Sequence, residues 1–261
     1  MKGSFSSKLK NFLNWLFPDN ATCIACGKEL FVPSDRYCIC QDCANELSPI
    51  VTCCLKCGKP TRYGEYCPTC RKEHIYFERN YSCFPYSGVI RKVLTDYKFH
   101  NKKYYCRFLA SFYVDKIIEA NIDADIMTFA PITKKHKRER GYNQCELIAK
   151  EISKRINVPL SAKVYKKEDR TRQVGKSFSE RRKNAENAYF VNDDTFKNKR
   201  VLVIDDVFTT GSTMNNIAKA LLKGKASSVV GLTLCNVELK QAFPDVFDET
   251  IINAGYFPFA D

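Results

Sequence analysis

The chain has 261 residues, 44% of them hydrophobic, and a formal net charge of +13. That length and apolar share allow one ordinary domain with its own core plus a small appended module. No run of about 18 apolar residues occurs, which excludes a transmembrane helix, and no small-residue cleavage site follows the short apolar stretch at 12–17, so a cytoplasmic protein is predicted.

Residues 5–17 place Phe5, Leu9, Phe12, Leu13 and Leu16 on one helical face, and Pro18 ends the segment. Residues 1–20 are therefore predicted as an amphipathic helix. Its few cations favour packing onto its own protein over lying on a membrane surface.

Of fourteen cysteines, ten fall before residue 71, and eight of these form four Cys-x-x-Cys pairs: Cys23/Cys26, Cys40/Cys43, Cys54/Cys57 and Cys67/Cys70. With no export signal, this spacing argues for metal rather than disulfides. Each pair lets a tight turn offer two thiolates to one tetrahedral ion, so eight ligands suffice for two structural Cys₄ zinc sites. The simplest pairing is sequential, 23/26 with 40/43 and 54/57 with 67/70; a cross-braced arrangement is the alternative. Cys38 and Cys53 are spare or replace a neighbour. Zinc substitutes for the core that a double ribbon spanning 21–75 is too short to build.

From about residue 80 strand-like and helix-like segments alternate: strands at 81–86, 126–130, 201–204 and 229–234, helices at 88–99, 105–118, 143–156 and 212–222. Alternation of this kind predicts an α/β domain with a parallel sheet over 80–235, its ligand at the carboxyl ends of the strands. Residues 236–261 hold Phe243, Phe247, Tyr256, Phe257 and Phe259 and are predicted as a tail that packs, with no assigned role.

The most informative run is 201–213. Four branched apolar residues lead into Asp205 and Asp206, then Thr209, Thr210, Gly211, Ser212 and Thr213 open a helix. Backbone N–H groups at a helix start favour an anion, and the hydroxyls add donors. The carboxylates suit either ribose hydroxyls or a hard cation such as Mg²⁺. Lys134, Lys135, Lys137, Arg138 and Arg140 crowd what reads as a loop after Pro131, a candidate cradle for a diphosphate. A second basic run, 163–183, is suited to closing over such a site or to tracking a nucleic-acid backbone.

The run 201–213 resembles the 5-phosphoribosyl 1-diphosphate (PRPP) motif of type I phosphoribosyltransferases. That resemblance implies that Asp205 and Asp206 hold ribose hydroxyls as the catalytic pair, that Thr209 to Thr213 wrap the 5-phosphate, and that Mg²⁺ accompanies PRPP. Pro131 followed by the basic run and Arg140-Gly141-Tyr142-Asn143-Gln144 is similar to the Arg-Gly-Phe-Asn-Gln signature of the ComF family. So are Thr171-Arg172-Gln173 through Asn184 to Phe190, and the cysteine knuckles ahead of the transferase-like part. Tyr142 for Phe, the extra Cys38 and Cys53, and the aromatic tail depart from the family pattern.

ComF membership implies a type I phosphoribosyltransferase fold with a zinc ribbon, acting in uptake of single-stranded DNA in natural competence. It does not fix an acceptor. One reading is a Mg²⁺-dependent transferase using PRPP. The alternative is a non-catalytic single-stranded DNA-binding protein whose PRPP site is a sensor or relic, with Tyr97, Phe99, Tyr104, Tyr105 and Phe178 stacking on bases. A third is an adaptor whose ribbons dock on a helicase or translocase.

Overall fold

The computed structural model describes residues 22–30, 38–167 and 188–237. The predicted helix at 5–17, the basic run beyond 167 with Phe178, most of the second ComF-like signature, and the tail from 238 lie outside the described residues.

Four parallel strands form the sheet: β1 (Arg79–Pro85), β2 (Ile126–Phe129), β5 (Arg200–Phe208) and β6 (Ser228–Asn236), in the order β1-β6-β5-β2. A separate antiparallel ribbon joins β3 (Val164–Lys166) to β4 (Tyr189–Val191). Val201, Leu202, Val203 and Ile204 are buried because β5 has a strand on each side and helices over both faces. A run of continuous apolar residues is what such a strand requires. Sequence reading ended this strand at Ile204; it runs to Phe208. The ladder to β6 continues through Asp205 opposite Thr233, Val207 opposite Cys235 and Phe208 opposite Asn236. The two aspartates are thus strand residues, held by sheet geometry.

Among the described residues, the α-helices of this domain are α3 (Gly88–Phe99), α4 (Tyr105–Glu119), α5 (Lys134–Arg140), α6 (Gln144–Ile156) and α7 (Ser212–Lys223); two one-turn helices, α1 (Gln41–Asn45) and α2 (Pro68–Lys72), precede them. α4 and α6 pack together against one face of the sheet. Along β1, Asn80 and Ser82 face the opposite side from Cys83, which bonds the Phe112 carbonyl of α4, as strand alternation demands. That second face receives α7, whose Met214 lies where a Cβ on Gly231 would sit, 2.7 Å away.

The predicted loop after Pro131 is a helix. Thr133 caps α5, its hydroxyl accepting from the His136 N–H at 3.3 Å, and Gly141 ends it at φ +75. A hydroxyl cap and a left-handed glycine bracket seven residues, which outweighs their mutual repulsion. Lys135 and Glu139, one turn apart, also pair at 3.8 Å.

The second knuckle of the cysteine-rich segment docks on the second face. The segment's two knuckles share one bonding pattern: the Cys23 N–H donates to Lys28 and the Gly27 N–H to Cys23, as Cys54 does to Lys59 and Gly58 to Cys54. Gly58 sits at φ +71, and a Cβ there would stand 2.6 Å from the Asn80 carbonyl oxygen, so only glycine lets the second knuckle approach β1 this closely. The Cys57 carbonyl accepts from the Asn80 and Asn236 side chains at 3.1 and 3.2 Å. The first knuckle is tied to α4 by the Tyr105 hydroxyl, which donates to the Ile24 carbonyl at 2.8 Å.

Candidate functional site

Two groups of four sulfurs come together, Cys23/Cys26/Cys40/Cys43 and Cys54/Cys57/Cys67/Cys70, each with all sulfurs within 4.8 Å of one another. Four sulfurs at zinc-bond length in a tetrahedron stand about 3.8 Å apart. Cys26 and Cys40 are 3.7 Å apart, and so are Cys57 and Cys67. The donor sets therefore fit two structural zinc ions in the sequential arrangement, not the cross-braced one. Cys38 and Cys53 stand outside both groups. In the second, the Cys67 and Lys56 N–H groups point at the Cys54 sulfur, the bonding that steadies a thiolate ligand.

The second site lies at the carboxyl ends of β5 and β2. Asp205 and Asp206 face a half-buried space, and the turn after them carries exposed Thr209, Thr210, Ser212 and Thr213 into the start of α7. Gly211 is the N-cap at φ +83, where a Cβ would meet the Phe208 ring at 2.5 Å. The Thr210 and Ser212 hydroxyls are 2.9 Å apart, and the Ser212 N–H reaches Thr210 Oγ1 at 3.3 Å. The result is an open cup of hydroxyls and first-turn N–H groups, suited to an anion.

Around the carboxylates the geometry is closer. Asp205 Oδ1 accepts from the Asp206 N–H at 2.9 Å and from the Cys145 thiol at 3.5 Å, while the Tyr113 hydroxyl donates to the Asp205 carbonyl at 2.7 Å. Burial, and then the Asp206 charge, push the Asp205 carboxyl up to about 7. Burial, and then both aspartates, push the Cys145 thiol well above its usual range, which keeps it a donor. Lys98, from the end of α3, places Nζ 2.9 Å from Asp206 Oδ2, with both side chains largely buried. Burial alone would lower Lys98, but the Asp206 charge and hydrogen bond overcome this and raise it, so it is an ammonium.

The predicted cations fall elsewhere. Lys134, Lys135, Arg138 and Arg140 ride on α5, over the end of β2, the strand next to β5. Lys134 and Lys137 line a cavity of about 640 Å³ shared with Phe129 and the β3–β4 ribbon. Arg140 reaches Gln144 Oε1 at 3.3 Å and lies over the Phe99 ring. The basic run and the acidic pair thus share one edge of the sheet, but the cation touching Asp206 is Lys98.

Sequence reading missed Lys98, Cys145 and Tyr113. A signal for Lys98 existed: it follows Ile90 and Leu94 at helical spacing, a lysine on an otherwise apolar stripe. Of the aromatics expected to stack on bases, Tyr97 and Tyr105 are 0% and 4% exposed and belong to the core, because their hydroxyls bond buried carbonyls. Phe99 and Tyr104, at 62% and 60%, are surface residues.

Mg²⁺ takes oxygen ligands in a near-octahedral array. The groups gathered here are two carboxylates and a thiol, with an ammonium already on one carboxylate. This donor set does not fit a Mg²⁺ ion chelated by the pair itself. Among the described residues, no helix is long and apolar enough to cross a membrane.

Two family models agree with this architecture. Residues 12–71 match the double zinc ribbon domain and residues 143–253 the phosphoribosyl transferase domain. The chain is similar to Competence protein F of Haemophilus influenzae, 28% identical over 213 residues, covering 78% of this chain and 92% of that protein. It is similar to Competence protein ComFC of Bacillus subtilis at 24% identity, covering 78% and 86%, and to the DNA utilization protein YhgH of Escherichia coli K12 at 23%, covering 76% and 89%. Among solved structures, the glutamine PRPP amidotransferase of B. subtilis aligns at 20% identity and TM-score 0.34, over 57% of this chain and 28% of that one. A hypoxanthine phosphoribosyltransferase of Staphylococcus aureus aligns at 18% and 0.29, over 52% and 64%.

Parallel sheet, acidic strand end and hydroxyl turn define a phosphoribosyltransferase-type domain, here carrying a double zinc ribbon. Within that class, the two matched domains and the competence relatives together support a ComF family protein.

Proposed function

We propose that the chain binds PRPP at the carboxyl end of β5 and supports DNA uptake, as the names of its competence relatives suggest. The observation that carries this is the joining of an acidic pair at a strand end to an open hydroxyl cup at the start of α7, with nothing but Val207 and Phe208 between them. On this reading Thr209 to Thr213 take the 5-phosphate, and Asp205 and Asp206 take the ribose hydroxyls and steady a cationic ribosyl centre. The α5 cations Lys134, Lys135, Arg138 and Arg140 meet the diphosphate from the next strand. Mg²⁺ belongs to the diphosphate of PRPP rather than to the acidic pair. The protein works in the cytoplasm, its ribbons at 21–75 preceding a transferase-like part at 80–235. Titrating PRPP into wild type and Asp205→Asn/Asp206→Asn by calorimetry tests this. Binding should be lost in the double variant with zinc content unchanged, and equal binding by both would defeat the reading. Pyrophosphate release across a panel of acceptors then separates transferase from sensor.

A second reading has its own observation. Exposed Phe99 and Tyr104 lie beside Arg140 and Lys102, a surface of rings under cations suited to single-stranded bases and phosphates. Phe99→Ala/Tyr104→Ala should then weaken single-stranded DNA binding without changing PRPP affinity. A salt-independent DNA affinity would count against it. A helicase or translocase docked on the ribbons is the partner that the third, adaptor reading calls for.

A further inference from the structure

We propose that Lys98 is the resident cation of the acidic pair: Asp205 and Asp206 receive a sugar's hydroxyls with its ammonium in place, and Lys98 excludes a divalent ion from the same groups. This rests on the sugar-phosphate reading above and adds a positioning residue to it.

Three observations carry the inference. The first is geometric. Cys145, Asp205 and Asp206 could together offer three ligand atoms to one ion, yet Lys98 Nζ sits 2.9 Å from Asp206 Oδ2. An ammonium and a divalent ion cannot share so small a space without strong repulsion. Second, Lys98 is held there. Its neighbour Tyr97 is fully buried, donates its hydroxyl to the Gln144 carbonyl at 2.9 Å, and accepts on its own carbonyl from the Tyr142 hydroxyl. The end of α3 is thereby pinned to the Tyr142–Gln144 segment, and that segment leads directly into Cys145, the thiol that bonds Asp205. Third, the charge is compensated locally. A largely buried carboxylate without a partner is costly, and Lys98 supplies that partner in the protein alone. Asp206 Oδ2 is occupied by the ammonium, Asp205 Oδ1 by a thiol and a backbone N–H, so each carboxylate keeps one oxygen for a hydroxyl donor.

Ribose 5-phosphate is the discriminating probe, because it carries the hydroxyls and the 5-phosphate but no diphosphate to bring Mg²⁺. Wild-type affinity for it should be the same in EDTA and in MgCl₂. Lys98→Met should lose at least about tenfold in EDTA, the scale of one charged hydrogen bond, and Lys98→Arg should recover most of it. Independently of any sugar, zinc-loaded Lys98→Met should bind Mn²⁺ at one site per chain, read from the electron paramagnetic resonance of free Mn²⁺, where wild type binds none. Circular dichroism and zinc content check that the variants fold. A wild type that needs Mg²⁺ for ribose 5-phosphate, or a Lys98→Met protein that binds it as wild type does and gains no Mn²⁺, overturns the proposal. If folded wild type binds neither ribose 5-phosphate nor PRPP, the sugar-phosphate reading is what fails, and the Mn²⁺ measurement alone decides whether Lys98 excludes the ion.

Discussion

Asp205 sits where a carboxylate is uncomfortable: half-buried next to Asp206, whose charge Lys98 pairs, with the Cys145 thiol and the Asp206 N–H on its carboxylate and the Tyr113 hydroxyl on its backbone carbonyl. Its carboxyl is raised to about 7, first by burial and then by the Asp206 charge. The folded protein therefore holds a proton that the unfolded chain releases near pH 4, so this group's contribution to stability is full below about pH 4 and is lost as pH rises to 7. Asp205→Asn removes that loss. Thermal melts should show the variant gaining on wild type between pH 5 and pH 8, by up to a few kcal/mol at the scale of about 1.4 kcal/mol per pKa unit. A constant difference across that range would show that Asp205 is already charged at pH 5. Sugar binding runs the other way: a charged Asp205 is the better acceptor, so PRPP affinity should rise as pH passes 7. Residues of this kind were only half legible in the sequence. Asp205 and Asp206 announced themselves by lying beside a hydroxyl turn. Lys98, Cys145 and Tyr113 come from three different helices and meet the pair only through tertiary packing, which no local spacing encodes.

Among the elements, the link from β5 to α7 is the most exacting. Gly211 stands at φ +83, and its missing Cβ would strike the buried Phe208 ring. Gly211→Ala should cost at least about 1–2 kcal/mol from the left-handed backbone alone, and more if the ring cannot move. The same change should weaken PRPP binding, since the turn and the anion cup are one structure. A melting temperature and PRPP affinity both equal to wild type would mean the turn relaxes freely. The four strands of the parallel sheet and helices α3, α4, α6 and α7 were legible within a few residues because burial on one or both faces leaves a periodic trace; the short β3–β4 ribbon was not predicted. The α5 helix was not. Its residues are nearly all charged and exposed, so no apolar period marks it, and Thr133 with Gly141 supply the only signals.

For the molecule as a whole, the ribbon is part of the sheet domain's surface. Buried Asn80, Ser82, Thr233 and Asn236 bond one another or the Cys57 carbonyl beneath it. Asn215, in the first turn of α7, accepts from the Tyr76 N–H and donates to the His74 carbonyl in the linker that leaves the ribbon. A chelator that strips zinc should therefore reduce PRPP affinity as well as loosen the ribbon, and the two losses should track each other in a zinc titration. Undiminished PRPP binding by zinc-free protein would show the two parts to be independent. The eight ligands were readable from their spacing; their docking was not, because it rests on asparagine and serine side chains with no pattern of their own. The strand order has one more consequence. β1 follows the ribbon directly, yet its partner is β6, with Arg79 opposite Val230 and Pro85 opposite Asn236. On the ribosome both thiolate sets are complete by residue 70, while the first strand must wait for the last one to emerge. Metal capture can thus precede closure of the sheet. A nascent chain halted before 228 would carry its ribbon cysteines beside an unpaired β1, and the stretch to Asn236 is what gives that strand its partner.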